Sequence, residues 1–329
     1  MYQTRRICID SRLAEESPAH GIQAQELIDQ LVASQGEPRN IGGEWMRRRR
    51  TVLMTHPKQL FSGGDLKRFN TRRKIGTSPL YRLWESHFVK TAGITGFHRF
   101  RTVDHVVPRK EIAALTTLLP GKDLTKLSKL NDARSRYVVP SVADKGRLIE
   151  AGVKNVITVI KPGVRRFVHH TPLLKTPRTE RALVLVFGST KEERKFADAA
   201  SLIESFHPNL EVTRINLEKA KTEVAPGSWG RLMHEAALVG YLTEAPFDWG
   251  TLALESIYLG IPTVFADQHS ALSERLLPNS LQLSNYLQTG RFSELKTNTL
   301  FAKSHLEKQN IFFPLELARQ YGEAYEILS

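Results

Sequence analysis

The sequence predicts an α/β protein with two Rossmann-like domains, on three observations. The chain has 329 residues, more than the roughly 100 to 200 residues of a typical single domain. Short apolar runs alternate with stretches of helical periodicity, which is the pattern of strand and helix units in a parallel sheet. The alternation is interrupted at residues 171–180, where two prolines predict a linker, and then begins again. We therefore expect one domain over residues 1–170 and a second over residues 181–312.

The first elements are predicted from short apolar runs. Residues 6–10 form such a run before a polar loop, and residues 51–55 are apolar and β-branched, so both predict strands. Gly21 precedes a helical pattern over residues 22–33. Residues 62–101 are rich in Gly, Pro and Arg, which predicts long loops and short helices.

The rest of the first domain alternates more regularly. We expect a strand at residues 103–107 and a helix at 110–119. Ser141 is placed to cap a helix that ends before Gly152. This helix separates predicted strands at residues 137–139 and 156–160.

The second domain repeats the strand and helix cycle. Strands are predicted at residues 182–187, 211–215, 238–242 and 263–265, and helices at 192–205, 229–236 and 251–259.

The composition is that of a globular chain, with 41% hydrophobic and 25% charged residues. No apolar run approaches the roughly 18 residues that cross a bilayer, and the N-terminus carries charge where a signal peptide is apolar. We therefore expect a cytoplasmic protein. Cys8 is the only cysteine and cannot form an internal disulfide, so we expect a small core residue there.

The net charge of +13 is unevenly distributed. Residues 1–170 contain 31 Lys and Arg but 15 Asp and Glu, and the remaining residues have a net charge of −3. A basic surface attracts nucleic acid, anionic lipid or an acidic small molecule, or it only keeps the protein soluble. The basic clusters at 47–50, 67–68 and 72–74 have few aromatics between them, which favours an anionic membrane surface over single-stranded nucleic acid.

The most informative stretch runs from residue 245 to residue 264. Gly250 precedes a predicted helix and lets a ligand approach the backbone, and the amides of Thr251 and Leu252 can bind phosphate oxygens. Glu255, one turn further, is placed to accept hydrogen bonds from a ribose. Glycines at these positions are also common in ordinary turns between helices and strands, where they bind no ligand.

This stretch resembles the donor-binding segment of the group 1 glycosyltransferases, which are retaining, nucleotide-sugar-dependent enzymes of the GT-B fold. The family pattern is Glu-Gly-Phe-Gly, apolar residues, a second Glu, and a helix ending in Gly-(Ile/Val)-Pro. The resemblance covers residues 136–329, whereas residues 1–135 match weakly. It implies two domains facing a cleft, with residues 313–329 forming a helix that crosses back to the first domain. Three further segments resemble the family in the same order: 139–164, 185–195 and 312–325.

The resemblance also implies roles for individual residues. Glu255 would hold the ribose, and the positive charges of Arg194 and Lys195 would offset the diphosphate as it leaves. Arg194 and Lys195 can equally be a solvated helix face. No metal or cofactor is expected, because His169 and His170 lack a ligand pattern. The residues expected around the donor phosphates are Gly188, Gly250, Thr251 and Leu252.

One position departs from the family pattern. Phe247 stands where retaining members have their first Glu, eight positions before the second. Asp248, the next residue, is our candidate for the catalytic carboxylate, and Glu244 lies upstream. A Phe cannot contact sugar hydroxyls as a carboxylate does, so altered donor choice, slow turnover and lost activity all remain open.

Two positions in the first domain resemble site residues of the family. Gly21 stands roughly where the family has a Gly-rich loop near the acceptor and the donor phosphates. His56 follows a predicted strand and is a candidate catalytic residue facing the cleft, although a His before Pro is as often a turn residue.

We therefore predict a hexosyltransferase-like, metal-independent enzyme that moves a sugar from a nucleoside diphosphate sugar to an unidentified acceptor. An acceptor that is lipid-linked or anionic, at a membrane surface, would fit the basic half. A catalytically impaired GT-B-like binding protein and a nucleic-acid-directed glycosyltransferase are the alternatives.

Overall fold

The structure, a computed structural model, describes residues 7–10, 51–54, 96–102, 113–120, 135–165, 168, 172–220, 223–276, 281–309, 320, 321 and 324. Within these residues, ten strands form two sheets, and every strand pair is parallel. Helices connect successive strands in the second sheet and the last two strands of the first. The predicted α/β class is confirmed.

The first sheet has six strands in the order β2-β1-β3-β4-β5-β6. Helix α1, Val142–Glu150, lies between β5 and β6 along the chain. As expected, Ser141 caps it: the Ser141 hydroxyl accepts a hydrogen bond from the Asp144 amide at 2.9 Å. The strands are β1 Ile7–Asp10, β2 Thr51–Met54, β3 Gly96–Thr102, β4 Ala113–Leu119, β5 Ser135–Val139 and β6 Ile157–Val159.

Two predictions for this region are wrong. The expected helix at 110–119 is strand β4 from Ala113 onwards, and the expected loops over 62–101 contain the start of β3. Strand β4 pairs on both sides, and its residues 114–119 are buried. The sequence of a strand that is covered on both faces is a continuous apolar run. A buried helix has the same kind of sequence, so periodicity alone does not distinguish the two. The strand predicted at 103–107 and the helix at 22–33 lie outside the described residues.

The second sheet has four strands in the order β10-β9-β7-β8. The helix expected at 192–205 is divided at Phe196 into two helices, α2 and α3. The expected linker contains a short 3₁₀ helix, Pro172–Lys175. None of the helices described is long and apolar enough to cross a membrane. The elements are β7 Ala182–Phe187, α2 Thr190–Lys195, α3 Ala197–Phe206, β8 Glu211–Asn216, α4 Pro226–Glu235, β9 Ala236–Leu242, α5 Thr251–Tyr258, β10 Thr263–Phe265, α6 Ser270–Arg275, α7 Leu283–Thr289 and α8 Phe292–Lys308.

Polar contacts connect the first sheet and helix α1 to distant parts of the chain. The amides of Val142 and Ala143, at the start of α1, donate to the two carboxylate oxygens of Glu274 at 2.8 and 2.9 Å. The Tyr321 hydroxyl lies 2.8 Å from Thr117 Oγ1 in the middle of β4, and that hydroxyl lies 2.9 Å from His98 Nε2 on β3. Residues from both sheets also share one buried apolar cluster. The two sheets are therefore packed against each other.

Candidate functional site

The candidate site lies at the carboxyl ends of strands β7 and β9. Gly188 directly follows β7, and Gly250 opens helix α5 a few residues after β9. Ligands of parallel α/β sheets bind at this edge, where helix N-termini and strand ends meet. The structure thus brings the predicted residues of the second domain to one edge of one sheet.

Gly250 is required both by its backbone and by its neighbours. Its φ angle is +61°, and a Cβ there would lie 2.6 Å from Leu272 Cδ2 and 3.2 Å from His269 Cε1. Thr251 and Leu252 follow in the first turn of α5 and are 4% and 2% exposed. Both the backbone angle and the neighbouring side chains therefore require a glycine at this position.

Asp248 is buried and bound within the turn that precedes α5. Its Oδ1 accepts hydrogen bonds from the Gly250 amide at 2.7 Å and from the Tyr241 hydroxyl at 2.9 Å, and His269 Nε2 lies 3.5 Å away. The Leu272 amide donates to His269 Nδ1 at 3.3 Å, which leaves the ring proton of the neutral imidazole on Nε2, facing Asp248.

These donors determine the ionisation of Asp248. Burial alone would raise the pKa of Asp248, but the donors offered by His269 Nε2, the Gly250 amide and the Tyr241 hydroxyl together lower it. Asp248 is therefore an ionised carboxylate that fixes the turn. Its catalytic role stays a prediction.

Glu255 is paired with an arginine that the sequence analysis did not single out. Arg165 Nε and Nη2 donate to Glu255 Oε1 and Oε2 at 2.6 and 2.9 Å, and the Arg165 amide donates to Oε1 at 3.2 Å. Arg165 Nη1 donates to the Val224 carbonyl at 2.8 Å. Glu255 is 0% exposed and Arg165 is 5% exposed. The carboxylate predicted to hold a ribose thus has an internal partner.

Gly188 is covered by Glu192 and Thr243. A Cβ at Gly188 would overlap Glu192 Oε2 and Thr243 Oγ1. The Glu192 carboxylate accepts from Thr243 Oγ1 at 3.1 Å and from the Glu244 amide at 2.6 Å. Burial raises the pKa of Glu192, and the negative charges of Asp248 and Glu244 raise it further. The hydrogen bonds from the Glu244 amide and Thr243 lower the pKa but do not cancel this rise. The Glu192 carboxylate therefore accepts hydrogen bonds from amide and hydroxyl groups next to Gly188, where a donor phosphate was predicted.

The two predicted cations differ in their surroundings. Lys195 forms an ion pair with Glu244, the carboxylate upstream of Phe247. Arg194 is exposed on the same helix, α2. Both lie on the helix that follows Gly188, and their contact with a diphosphate stays a prediction.

Phe247 projects away from the second sheet into the core of the first. It is fully buried and packs in an apolar cluster with residues of β4, β5, β6 and α1. Its φ angle is +64°, and its amide donates to Asp144 Oδ1, 3.2 Å away. Two positions on, Trp249 Nε1 donates to the Leu118 carbonyl at 3.1 Å. The position of the family's first Glu is therefore an apolar contact between the two sheets.

The other site predictions lie outside what the structure describes, since His56 and Gly21 are not among the described residues. In the described part of the chain, no group of three or more His, Cys, Asp or Glu side chains is arranged to hold a metal ion. Sequence reasoning missed Arg165 and Glu192. The only signal for Arg165 was its place directly after the Gly163-Val164 match to the family.

No family model matches the chain, and no curated protein matches it in sequence. Its structure is similar to sucrose-phosphate synthase from Thermosynechococcus elongatus, with a TM-score of 0.57 and 14% identity over 98% of this chain and 99% of that one. It is similar to HepE from Anabaena, solved with UDP and glucose, with a TM-score of 0.57 and 11% identity over 98% and 99% of the two chains. The predicted GT-B fold is confirmed.

Proposed function

We propose that this protein is a glycosyltransferase that uses a nucleoside diphosphate sugar as donor. The observation that carries the proposal is the left-handed Gly250 turn, which opens helix α5 at the carboxyl edge of the second sheet in a chain of GT-B fold. The structure of HepE, similar in fold over nearly the whole chain, holds UDP and glucose.

In this proposal the diphosphate lies near the first turn of α5 and the cations of α2. The helix dipole and the positive charges of Lys195 and Arg194 stabilise negative charge there without a metal. In the transfer, the bond between the sugar carbon and the phosphate oxygen breaks and the nucleoside diphosphate leaves with the electron pair. The acceptor hydroxyl forms the new bond to the sugar carbon, and its proton passes to a phosphate oxygen of the leaving nucleoside diphosphate. Asp248 and His56 are the candidate catalytic residues, Gly21 lies near the phosphates or the acceptor, and Glu255 binds the ribose.

The chemical class of the acceptor is inferred from the positive charge of residues 1–170. Residues 1–170 carry the excess of Lys and Arg, which favours an anionic or lipid-linked acceptor at the surface of a cytoplasmic membrane. A protein that binds this surface through Lys and Arg should leave anionic vesicles as salt is raised, since the attraction is screened.

A second candidate is a GT-B-like module that binds a nucleotide and does no chemistry. Phe247 favours it, because the position of the family's first carboxylate is an apolar side chain buried against the first sheet. Both candidates require a nucleotide site, and only the first requires turnover.

The test combines binding and turnover. Thermal unfolding of the protein is followed with millimolar UDP, GDP, ADP or TDP, and the matching nucleotide sugars are assayed for sugar release or transfer. We expect one nucleotide to raise Tm, and the double variant Arg194→Ala/Lys195→Ala to lose this effect. Lys296→Ala/Lys308→Ala, which removes two exposed lysines from helix α8, is the matched control.

The outcomes separate the candidates. Stabilisation with sugar transfer supports the enzyme, and stabilisation without any turnover supports the binding module. If none of the four nucleotides changes the Tm of the wild type or of Arg165→Gln, in which Glu255 loses its charged partner, both candidates are wrong.

A further inference from the structure

The Arg165 side chain occupies the acceptors that a nucleoside would need. Its guanidinium binds both oxygens of Glu255 and, through its third nitrogen, the Val224 carbonyl just before helix α4. Both side chains are buried, so no ligand reaches Glu255 while the pair is formed.

The hydrogen-bonding capacity of Glu255 leads to the same conclusion. An ionised carboxylate offers about four lone pairs. Arg165 uses three of them, two on Oε1 and one on Oε2. The two neighbouring hydroxyls of a ribose each need an acceptor, so they cannot both bind Glu255 beside Arg165.

Arg165 also belongs to a different part of the chain from the acceptors that it binds. It follows strand β6 of the first sheet, whereas Glu255 and Val224 belong to the part of the chain that forms the second sheet. Val164, the residue before it, is fully buried in the apolar cluster that both sheets share. The segment that carries the guanidinium is therefore fixed in place, and releasing Glu255 requires the Arg165 side chain to leave a buried ion pair.

We propose that Arg165 is an internal plug of the donor site, and that a nucleoside diphosphate binds at Glu255 only when the guanidinium has moved away. This inference rests on the proposed donor site and adds its regulation. The affinity for a nucleotide is reduced by the small fraction of molecules in which the pair is open, so a substitution that opens the pair tightens binding.

The test measures nucleotide affinity in Arg165→Gln. Glutamine has no positive charge, yet its amide still donates a hydrogen bond to the buried carboxylate. The dissociation constants of UDP, GDP, ADP and TDP are measured by titration calorimetry on the full chain. We expect at least one nucleotide to bind the variant tenfold or more tightly than the wild type. Arg181→Gln, which breaks the exposed pair with Glu235, is the matched control and should leave the affinities unchanged.

A second variant is needed, because removing one partner of a buried ion pair leaves an uncompensated charge that can destabilise the fold. Arg165→Lys keeps a positive charge beside Glu255 but lacks the fork of donors that engages both carboxylate oxygens. It should also bind the nucleotide more tightly than the wild type.

Each outcome has one meaning. Tighter binding in either Arg165 variant supports the plug. Equal or weaker binding in both, with measurable binding to the wild type, overturns the plug and leaves the donor site standing. If neither the wild type nor the variants bind any of the four nucleotides, the plug and the proposed donor site are both overturned.

Discussion

Asp248 shows how single residues of the candidate site stabilise one another. Its Oδ1 accepts from the Gly250 amide and the Tyr241 hydroxyl, and His269 Nε2 lies at the limit of hydrogen-bonding distance. Each donor is buried, so a lost acceptor leaves it without a partner, at a cost of about 1–3 kcal/mol. The carboxylate stabilises the turn before α5, whatever ligand the turn binds.

Asp248→Asn should lower the free energy of unfolding by about 1–2 kcal/mol near neutral pH, because a neutral amide accepts these hydrogen bonds less strongly. The pKa of Asp248 in the folded protein is lowered from its ordinary value of 3.8, so the stability that the charge provides is present above that pH. It is lost as the pH falls through the folded pKa. Urea unfolding at pH 7 and pH 3 measures the difference between variant and wild type, which should shrink in acid.

The control for this prediction is Asp198→Asn, a change at an exposed aspartate in the first turn of α3. It should alter stability by less than about 1 kcal/mol. A difference between Asp248→Asn and wild type that stays constant with pH would contradict the role of the charge.

Sequence reasoning reached some residues of the site and not others. The special role of Gly250 could be predicted, because a glycine directly before a helix is visible in the local sequence. The partner of Glu255 could not, since Arg165 is 90 positions away and ion pairs leave no periodic pattern. Phe247 was recognised as a departure from the family, but its place in the core of the other sheet depends on tertiary packing.

At the scale of elements, helix α5 depends on the conformation of Gly250, the residue that caps its N-terminus. Gly250→Ala should destabilise the protein by at least about 1–2 kcal/mol, because an Ala in the left-handed region is strained by that amount. Overlap of the new Cβ with Leu272 adds to this loss. Urea denaturation checks the prediction.

Gly227→Ala is the matched control on helix α4. Its Cβ would meet no atom within 4 Å, so Ala should be neutral or stabilise the helix by about 0.5–1 kcal/mol. Equal effects of the two substitutions would show that neither the backbone angle nor the crowding at Gly250 matters for stability.

The elements themselves were predicted unevenly. The strands and helices between residues 135 and 265 were predicted closely, apart from the break at Phe196, because short apolar runs alternate there with helical patterns. Helices α6, α7 and α8 had no prediction. Strand β4 was predicted as a helix because its seven residues lie in the middle of the sheet and carry no alternating polar pattern. The order of strands in a sheet depends on contacts between distant segments, and no local pattern predicts it.

For the whole molecule, Phe247→Ala tests whether the two sheets support each other. Truncation of a fully buried Phe typically costs about 3–5 kcal/mol, and this ring lies in the cluster of the first sheet. The variant should unfold at lower urea concentration, and the amides of helix α1 should exchange hydrogen faster, although the substitution lies about 100 residues away along the chain.

Phe301→Ala is the control, since Phe301 is 61% exposed on helix α8. Its effect should stay within about 0.5 kcal/mol. Unchanged exchange of the α1 amides in Phe247→Ala would mean that the two sheets are stable independently of this contact.

The contact between Tyr321 and Thr117 has a consequence for synthesis of the chain. The two hydroxyls are 204 residues apart in sequence, and Thr117 lies in the middle of the first sheet. A ribosome adds about 5–20 residues per second, so Thr117 emerges about 10–40 s before Tyr321. The second sheet is synthesised during that interval, and the hydrogen bond between the two hydroxyls cannot yet form. A contact inside the first sheet is thus completed only after the second sheet has been made.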